Sequence, residues 1–567
     1  MKTVNTKYLF FLLAPLIFAA ECSKKENTPA PPPPAPIPQA FNIVATALDN
    51  TPVLTANINY NVRTRVAVKL SFNNVLDKTS VPAALSVVEN NAVAIPVSFS
   101  YENNDSTVVI TSTSPLKNLA RYTLTATTVL QSTKKGKLGA DFNLNFITQI
   151  DSSRKFALIS DNALMDTIQK RTFKYFWDYG HPVSGLARER SNSTPETVTS
   201  GGSGFGIMSI PVAINRNFIT RAQGLARLQT MVSFLKNTAQ KFHGAFPHWL
   251  NGTTGVVIPF STKDNGADLV ETSYLMQGLL CARQYFNATD AAETTLRNDI
   301  NILWNAVEWD WFRQNNQNVL YWHWSPNFNW EMNHQIRGWN ECLVTYVLGA
   351  ASTTHSIPAT VYASGWTANG TNGFTNGSSY YGYTLSLGPQ FGGPLFFSHY
   401  SFLGINPNGL SDVYANYQTQ TKNHTLINYE YCKANPKNYF GYSDSCWGLT
   451  ASDIQNGYTA SSPTNDVSVI SPTAALSSLP YTPNESMKAL KFFYYVLGDK
   501  IFKEYGFVDA FSLQQLWYAD SYLAIDQGPI IVMIENYRSQ LLWNLFTSCP
   551  EVKNGMKNVL GFTAPYL

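Results

Sequence analysis

Hydrophobic and polar positions alternate with a period of two along 41–150. Stretches such as 66–72 (VAVKLSF), 108–113 and 122–129 are separated by Asn, Asp, Gly and Pro. That period puts successive side chains on opposite faces of a strand, and short strands at this spacing predict a β-sandwich. From about residue 153 the period changes. Apolar residues recur every three to four positions, which predicts helices over 163–178, 220–240, 268–286, 294–308, 340–351, 485–497 and 529–546. Long connections rich in Gly, Asn, Ser, Tyr and Trp lie between them, notably 365–393 and 429–481. Loops of that length in a compact domain are usually functional. Roughly 410 residues of helix pairs with elaborate loops match the size of an (α/α)6 barrel, although the sequence shows no internal repeat. The expected fold is therefore mainly α: an (α/α)6 barrel over 155–567, preceded by a small all-β immunoglobulin-like sandwich at 41–150.

The N-terminus follows neither pattern. Lys2 and Lys7 precede an apolar run at 8–20 that is too short to span a membrane, and Cys22 follows Ala19, Ala20 and Glu21. This arrangement resembles a bacterial lipoprotein signal. Residues 1–21 would be removed, Cys22 would carry the lipid, and the proline-rich 22–40 (PAPPPPAP at 29–36) would form an extended tether. The alternative is ordinary signal cleavage near Ala20, which Glu21 favours. The expected location is exported and membrane-anchored, facing the periplasm or the cell surface, with the membrane touched only through the lipid.

Composition narrows the ligand. Charged residues make up 14% and aromatics 13%, and all 13 Trp lie beyond residue 153. A net charge of +3 with no basic cluster argues against a nucleic-acid partner. Few charges and many Trp and Tyr suit neutral, ring-shaped ligands. The five cysteines after Cys22 have no CxxC or metal-type spacing, which excludes a disulfide scaffold. No phosphate loop, HExxH or GxSxG occurs, which leaves carboxylates and aromatics as the candidate chemistry, and no cofactor is expected.

Three segments could carry chemistry. In 264–286 (DNGADLVETSYLMQGLLCARQYF), Leu275, Leu279, Ala282 and Phe286 form a buried stripe, and stepping back along it reaches Glu271 and Asp268. These carboxylates, with Asp264 before them, could face a pocket. Asp-x-x-Glu is equally a helix cap. In 321–352, Glu341 opens an almost wholly apolar helix, so its carboxyl is either paired, for instance with Arg337, or functional. Burial would raise its pKa, as a general acid requires. Trp322, Trp324, Trp330 and Trp339 offer flat faces on which sugar rings could stack, or they pack the core. In 521–543, Asp526 falls in a turn before a helix opening near Pro529, and Glu535 and Arg538 are spaced to pair with each other. Carboxylates plus aromatics are the equipment of glycoside hydrolysis.

Long strings resemble one family. From about 156 to 562 the chain carries GFGIMSIPVAINRNFITR, DLVETSYLMQGLLCARQYF, LYWHWSPNFNW, RGWNECLVTYVLGAAS, GGPLFFSHYSFLG and LAIDQGPIIVMIENYRSQLLW. These are similar to the bacterial glucoamylase-like proteins of glycoside hydrolase family 144, and 41–150 resembles a bacterial Ig-like module. The resemblance implies an (α/α)6 barrel without metal and inverting hydrolysis of β-1,2-glucan. By motif it assigns catalysis to Glu341 and Asp526 and substrate subsites to Asp264, Asp268 and Glu271; Arg337 and the four tryptophans, read from their place beside Glu341, are expected to add substrate contacts. A monomer is expected. A surface glycan-binding protein on the same barrel and an α-glucan hydrolase are the alternatives. A buried acid at Glu341 favours an enzyme.

Overall fold

The structure, a computed structural model, describes residues 38–53, 55–371 and 373–567. Cys22 and the export signal lie outside the described residues.

The first unit is a sandwich of two five-stranded sheets. In one sheet, Ile43–Leu48 pairs with Ala67–Phe72, which pairs with Thr107–Ser112, and that strand pairs with Val97–Glu102, all antiparallel. The other is ordered Asn59–Val62, Phe142–Thr148, Arg121–Ala126, Leu85–Glu89, Val93–Ile95. The period of two is visible in the burial. Val68, Leu70 and Phe72 point inward from one sheet, and Tyr122, Leu124 and Ala126 from the other.

The second unit is helical. Its elements alternate in chain order between amphipathic helices and helices buried on every side. The amphipathic set comprises α1 (Asp161–Trp177), α3 (Arg221–Asn237), α5 (Ala291–Asn305), α7 (Tyr417–Ala434) and α9 (Pro483–Tyr495). In α3, for example, Gly224, Leu228, Met231, Val232 and Leu235 are buried and the opposite face is solvated, as expected of an outer helix. The buried set comprises α2 (Ser200–Asn215), α4 (Leu269–Tyr285), α6 (Leu343–Ala351), α8 (Pro472–Leu476) and α10 (Ala524–Ser539). The short turn Val361–Trp366 and the buried segment containing Leu395–Ser398 and Ser401–Leu403 supply one more outer and inner element. Among the described residues this makes six outer–inner pairs. The inner elements close a ring: α2 packs on α4, α4 on α6, α6 on Ser401–Leu403, α8 on α10 and α10 on α2. The remaining junction is polar, with Tyr481 donating to the Ser398 carbonyl and His399 bonded to Ser478. The domain is the expected helical barrel.

The Gly-rich GGSGFG at 201–206 is part of inner helix α2, where sequence periodicity showed no helix. Its glycines permit backbone contact. A Cβ on Gly204 would lie 2.1 Å from the Tyr274 carbonyl oxygen of α4, and one on Gly278 of α4 would lie 2.2 Å from that of Gly204. Small residues at this crossing let two inner helices approach until a side chain no longer fits between them.

The structure corrects four other expectations. Helix α6 starts at Leu343, so Glu341 sits in the turn before it. Asp526 lies in the first turn of α10, with Pro529 inside that helix, and not in a preceding turn. The helix expected at 529–546 breaks at Gln540, whose φ is +58°, and resumes as α11 (Leu541–Thr547). Glu535 and Arg538 do not pair: Glu535 binds Arg216 and Arg538 binds Asp166. The five described cysteines are free and buried.

Candidate active site

Because outer and inner elements alternate, the inner helices open toward one mouth, and the carboxylates gather at their N-termini. Asp268 caps α4, its side chain accepting the Glu271 N–H at 2.9 Å. Glu271, one turn in, reaches across to α2, accepting the Gly201 N–H at 2.7 Å and the Thr199 hydroxyl at 3.2 Å. His248 Nδ1 lies 3.0 Å from Asp268 Oδ2, and His323 Nε2 lies 3.5 Å from Asp264 and 3.8 Å from Asp268.

Electrostatics sort these groups. Burial opposes charge on His248, yet the charge of Glu271 and the bond to Asp268 push it up to about 9, so it is an imidazolium. Burial brings His323 down to about 4, so it is neutral. Burial alone would raise Asp268, but the His248 bond and the histidines around it hold its carboxyl below the ordinary value. Asp264 rises to about 7 through burial and the neighbouring Asp268 charge, and its Oδ1 has no partner. Glu271 is raised by burial, then by Asp268. Donor atoms of His248, Asp264 and Asp268 lie within 4.8 Å of one another, a spacing that could hold a metal ion. The imidazolium already supplies positive charge there.

Glu341 differs from all of these. Its main chain is pinned, the carbonyl accepting from Ser401 Oγ and, at 3.5 Å, from the Tyr274 hydroxyl. Its half-buried carboxyl receives only its own backbone N–H. Burial, then the charges of Glu271 and Asp268, raise it to about 7. It is an acid kept substantially protonated at neutral pH.

A second group lies on the α10 side. Asp526 is 1% exposed and neither carboxyl oxygen has an N–H or hydroxyl donor. It lies within hydrogen-bonding reach of the Asp509 carboxyl. Asp509 accepts the Asp453 N–H at 2.7 Å, and Asp453 is held by Arg190 at 3.1 Å and by the Ser521 hydroxyl. Burial and the Asp509 charge raise Asp526 well above the ordinary carboxyl range. The two groups are linked electrostatically. Glu189 feels both His248 and Asp453, and the buried Tyr400 phenol lies in the field of both Asp526 and Glu341. A cavity of about 440 Å³ opens beside the second group, lined by Arg190, Asp453, Tyr458 and Trp517 among others.

The structure thus brings Asp264, Asp268, Glu271 and Glu341 together and sets Asp526 across from them. It does not bring Arg337 to Glu341: Arg337 is exposed and binds Gln335 and the Ser364 carbonyl. Trp339 is 4% exposed, packed on Phe402 and Tyr417. Trp330 sits among Trp311, Phe312 and Tyr321. Trp339 therefore serves the core, while Trp330 is half-buried against it. Trp324 packs on Trp311 and His243, while Trp322 stacks on His334, 4.9 Å between centroids, beside the His323 cluster. Sequence reasoning missed His248, His323, Glu189, Arg190, Asp453, Asp509, Tyr400 and the exposed Phe260, which lies 4.3 Å from the His248 ring. Of these, His323 and Tyr400 fall within LYWHWSPNFNW and GGPLFFSHYSFLG, strings shared with the resembled family, but no spacing marked them as site residues.

A family model described as "Putative glucoamylase" matches residues 333–550, and a bacterial Ig-like model matches 45–148. The structure of an endo-β-1,2-glucanase from Chitinophaga pinensis, in complex with sophorotriose and glucose, is 53% identical. The match covers 72% of this chain and 100% of that one, with a TM-score of 0.70. The chain belongs to the glucoamylase-like family. A β-1,2-glucanase structure from Parabacteroides distasonis is 36% identical over 93% of this chain and 74% of its own, with a TM-score of 0.69. An exo-β-1,2-glucooligosaccharide sophorohydrolase of the same species is 44% identical over 420 residues, 71% of this chain. The match spans 58% of that relative's length.

Proposed function

We propose that the helical domain of this family member hydrolyses β-1,2-linked glucan, with Glu341 as general acid and Asp526 as general base. One observation carries the reading. Glu341 and Asp526, at the starts of two inner helices, are both raised by burial, and neither carboxyl has an N–H or hydroxyl donor from another residue, unlike Asp268, Glu271 and Glu535. A glycan binder gains nothing from carboxyls held at such expense to stability, whereas proton transfer to a leaving oxygen and from an attacking water requires them. The β-1,2-glucan specificity rests on the relatives named for that linkage. In the reaction Glu341 protonates the glycosidic oxygen as the C–O bond breaks. Asp526 takes the proton of the water that adds to the anomeric carbon, inverting it.

Digestion of linear β-1,2-glucan and of starch, followed by chromatography and anomer detection by NMR, tests the reading. Products from β-1,2-glucan alone are expected, initially of inverted configuration. Release from starch alone would move the chain to the α-glucan reading. Binding of glucan without product would make it a glycan-binding protein. Export and lipidation at Cys22 are part of the same proposal, supported by the short apolar run and the proline-rich stretch behind it.

A further inference from the structure

Asp526 does not stand alone. Its neighbour Asp509 is 2% exposed, and Asp509 Oδ1, like both oxygens of Asp526, has no N–H or hydroxyl donor. Asp509 Oδ2 is fixed by the Asp453 N–H at 2.7 Å, and its own backbone N–H donates to the Ser521 carbonyl. Asp526 is anchored through its carbonyl, which accepts the Thr473 hydroxyl at 2.9 Å. Two buried carboxyls thus lie within hydrogen-bonding reach of each other, with three oxygens that no N–H or hydroxyl satisfies. In that arrangement the available hydrogen bond is one made by a proton of their own.

We propose that Asp509 is a positioning residue that shares one proton with Asp526, so that the two carboxyls work as a single base. The inference rests on the proposed hydrolysis. Two adjacent carboxyls cannot both ionise in a buried site, and the pair, not either residue, then titrates. The surroundings agree. Burial and the Asp453 charge raise Asp509 to about 7, and burial and Asp509 raise Asp526 well above the ordinary carboxyl range. The other groups facing the pair are Arg190, which lowers both, and the phenols of Tyr400 and Tyr458. Above about pH 7 the dyad therefore carries one proton and one negative charge. In the reaction it accepts the second proton from the attacking water while Glu341 gives its own to the leaving oxygen. Later exchange with solvent restores both groups. A lone Asp526 with ordinary acidity would be a much weaker base at neutral pH.

The test is the pH profile of Asp509→Asn on linear β-1,2-glucan. The amide keeps the size of the side chain, donates an N–H to Asp526 and removes the charge that keeps the shared proton in place. The acid limb of kcat should move to lower pH by at least about one unit, and kcat at neutral pH should fall roughly tenfold or more, with KM nearly unchanged. An acid limb that stays with the wild type overturns the proposal. Unfolding temperature against pH gives a second reading without activity. Above about pH 8 the wild type should go on losing stability as the shared proton leaves, whereas Asp526→Asn, whose single remaining carboxyl is already ionised, should level off. Equal pH dependence of the two proteins also overturns the proposal, and this comparison stands even if Asp509→Asn does not fold. A wild type that releases no product sinks the functional reading instead, and leaves the unfolding comparison to judge the shared proton.

Discussion

Replacing Glu341 by Gln should abolish turnover and, above neutral pH, make the protein more stable. Both effects follow from one carboxyl. Its pKa is raised from 4.5 to about 7, chiefly by burial. A carboxyl whose folded pKa lies above its unfolded value binds more protons when folded, so stability falls as pH rises through that window. Ionisation of Glu341 therefore penalises the folded state progressively between pH 4.5 and 7, and fully above it. The difference of about 2.5 units corresponds to roughly 3 kcal/mol. Solvent in the open mouth screens part of it, which leaves on the order of 1–3 kcal/mol. Gln has no such penalty. Urea unfolding of wild type and Glu341→Gln should coincide near pH 4.5 and diverge by that amount at pH 8, the variant being the more stable. Activity should drop roughly 10²–10⁴-fold, the usual worth of general acid assistance. In the wild type, activity should decline as pH rises above about 7 and the acid loses its proton. A variant destabilised at pH 8 would show that the carboxylate anchors the fold, and the acid assignment would fall with it.

Gly201→Ala should disturb the same mouth from the other side. Its Cβ would fall 2.4 Å from Glu271 Oε2 and 2.9 Å from the Tyr274 ring, so a loss of about 1–3 kcal/mol by thermal unfolding is expected. Wild-type stability would mean that Glu271 can move aside. Arg216→Met should cost about 3 kcal/mol, because it strands the fully buried Glu535, the low end of the usual range since neutral donors remain around it. A change below about 1 kcal/mol in urea unfolding would refute that. Cys22→Ala should move the protein from membrane to soluble fractions, and unchanged fractionation would reject the lipid anchor.

Outer helices and strands were legible because each buries one face, so the period survives in the sequence. Residues 224, 228, 231 and 235 of α3 are an instance. Inner helices were harder, because a helix surrounded by protein has no polar face to set the period. In α2 the residues from Ser200 to Ala213 are all buried, and the glycines that look like a loop are the contact surface. The same reasoning separates the acids. Asp268 and Glu271 could be found by stepping along a stripe of one helix, since their spacing is local. Arg190 and Asp453 stand 263 residues apart in the chain, and only the closing of the barrel brings both to the Asp509–Asp526 pair.

Helix α10 shows what spacing alone cannot decide. It carries two buried carboxyls, Asp526 at its start and Glu535 nine residues on. In sequence, Glu535 with Arg538 three residues later is the easier to read, and Asp526 resembles a turn residue. The structure reverses the weight. Glu535 accepts two bonds from Arg216 at 2.7 and 2.8 Å and others from Asn215, Gln169 and Ser539, and those donors hold its carboxyl below the ordinary range despite burial. Asp526 has no such donor and faces a second carboxyl. Burial costs each carboxyl several kcal/mol unless it is compensated. The fold compensates Glu535 fully and leaves Asp526 to hold its proton. A charge satisfied on every side can only support structure. The carboxyl left without a fixed donor is the one able to take a proton from an attacking water.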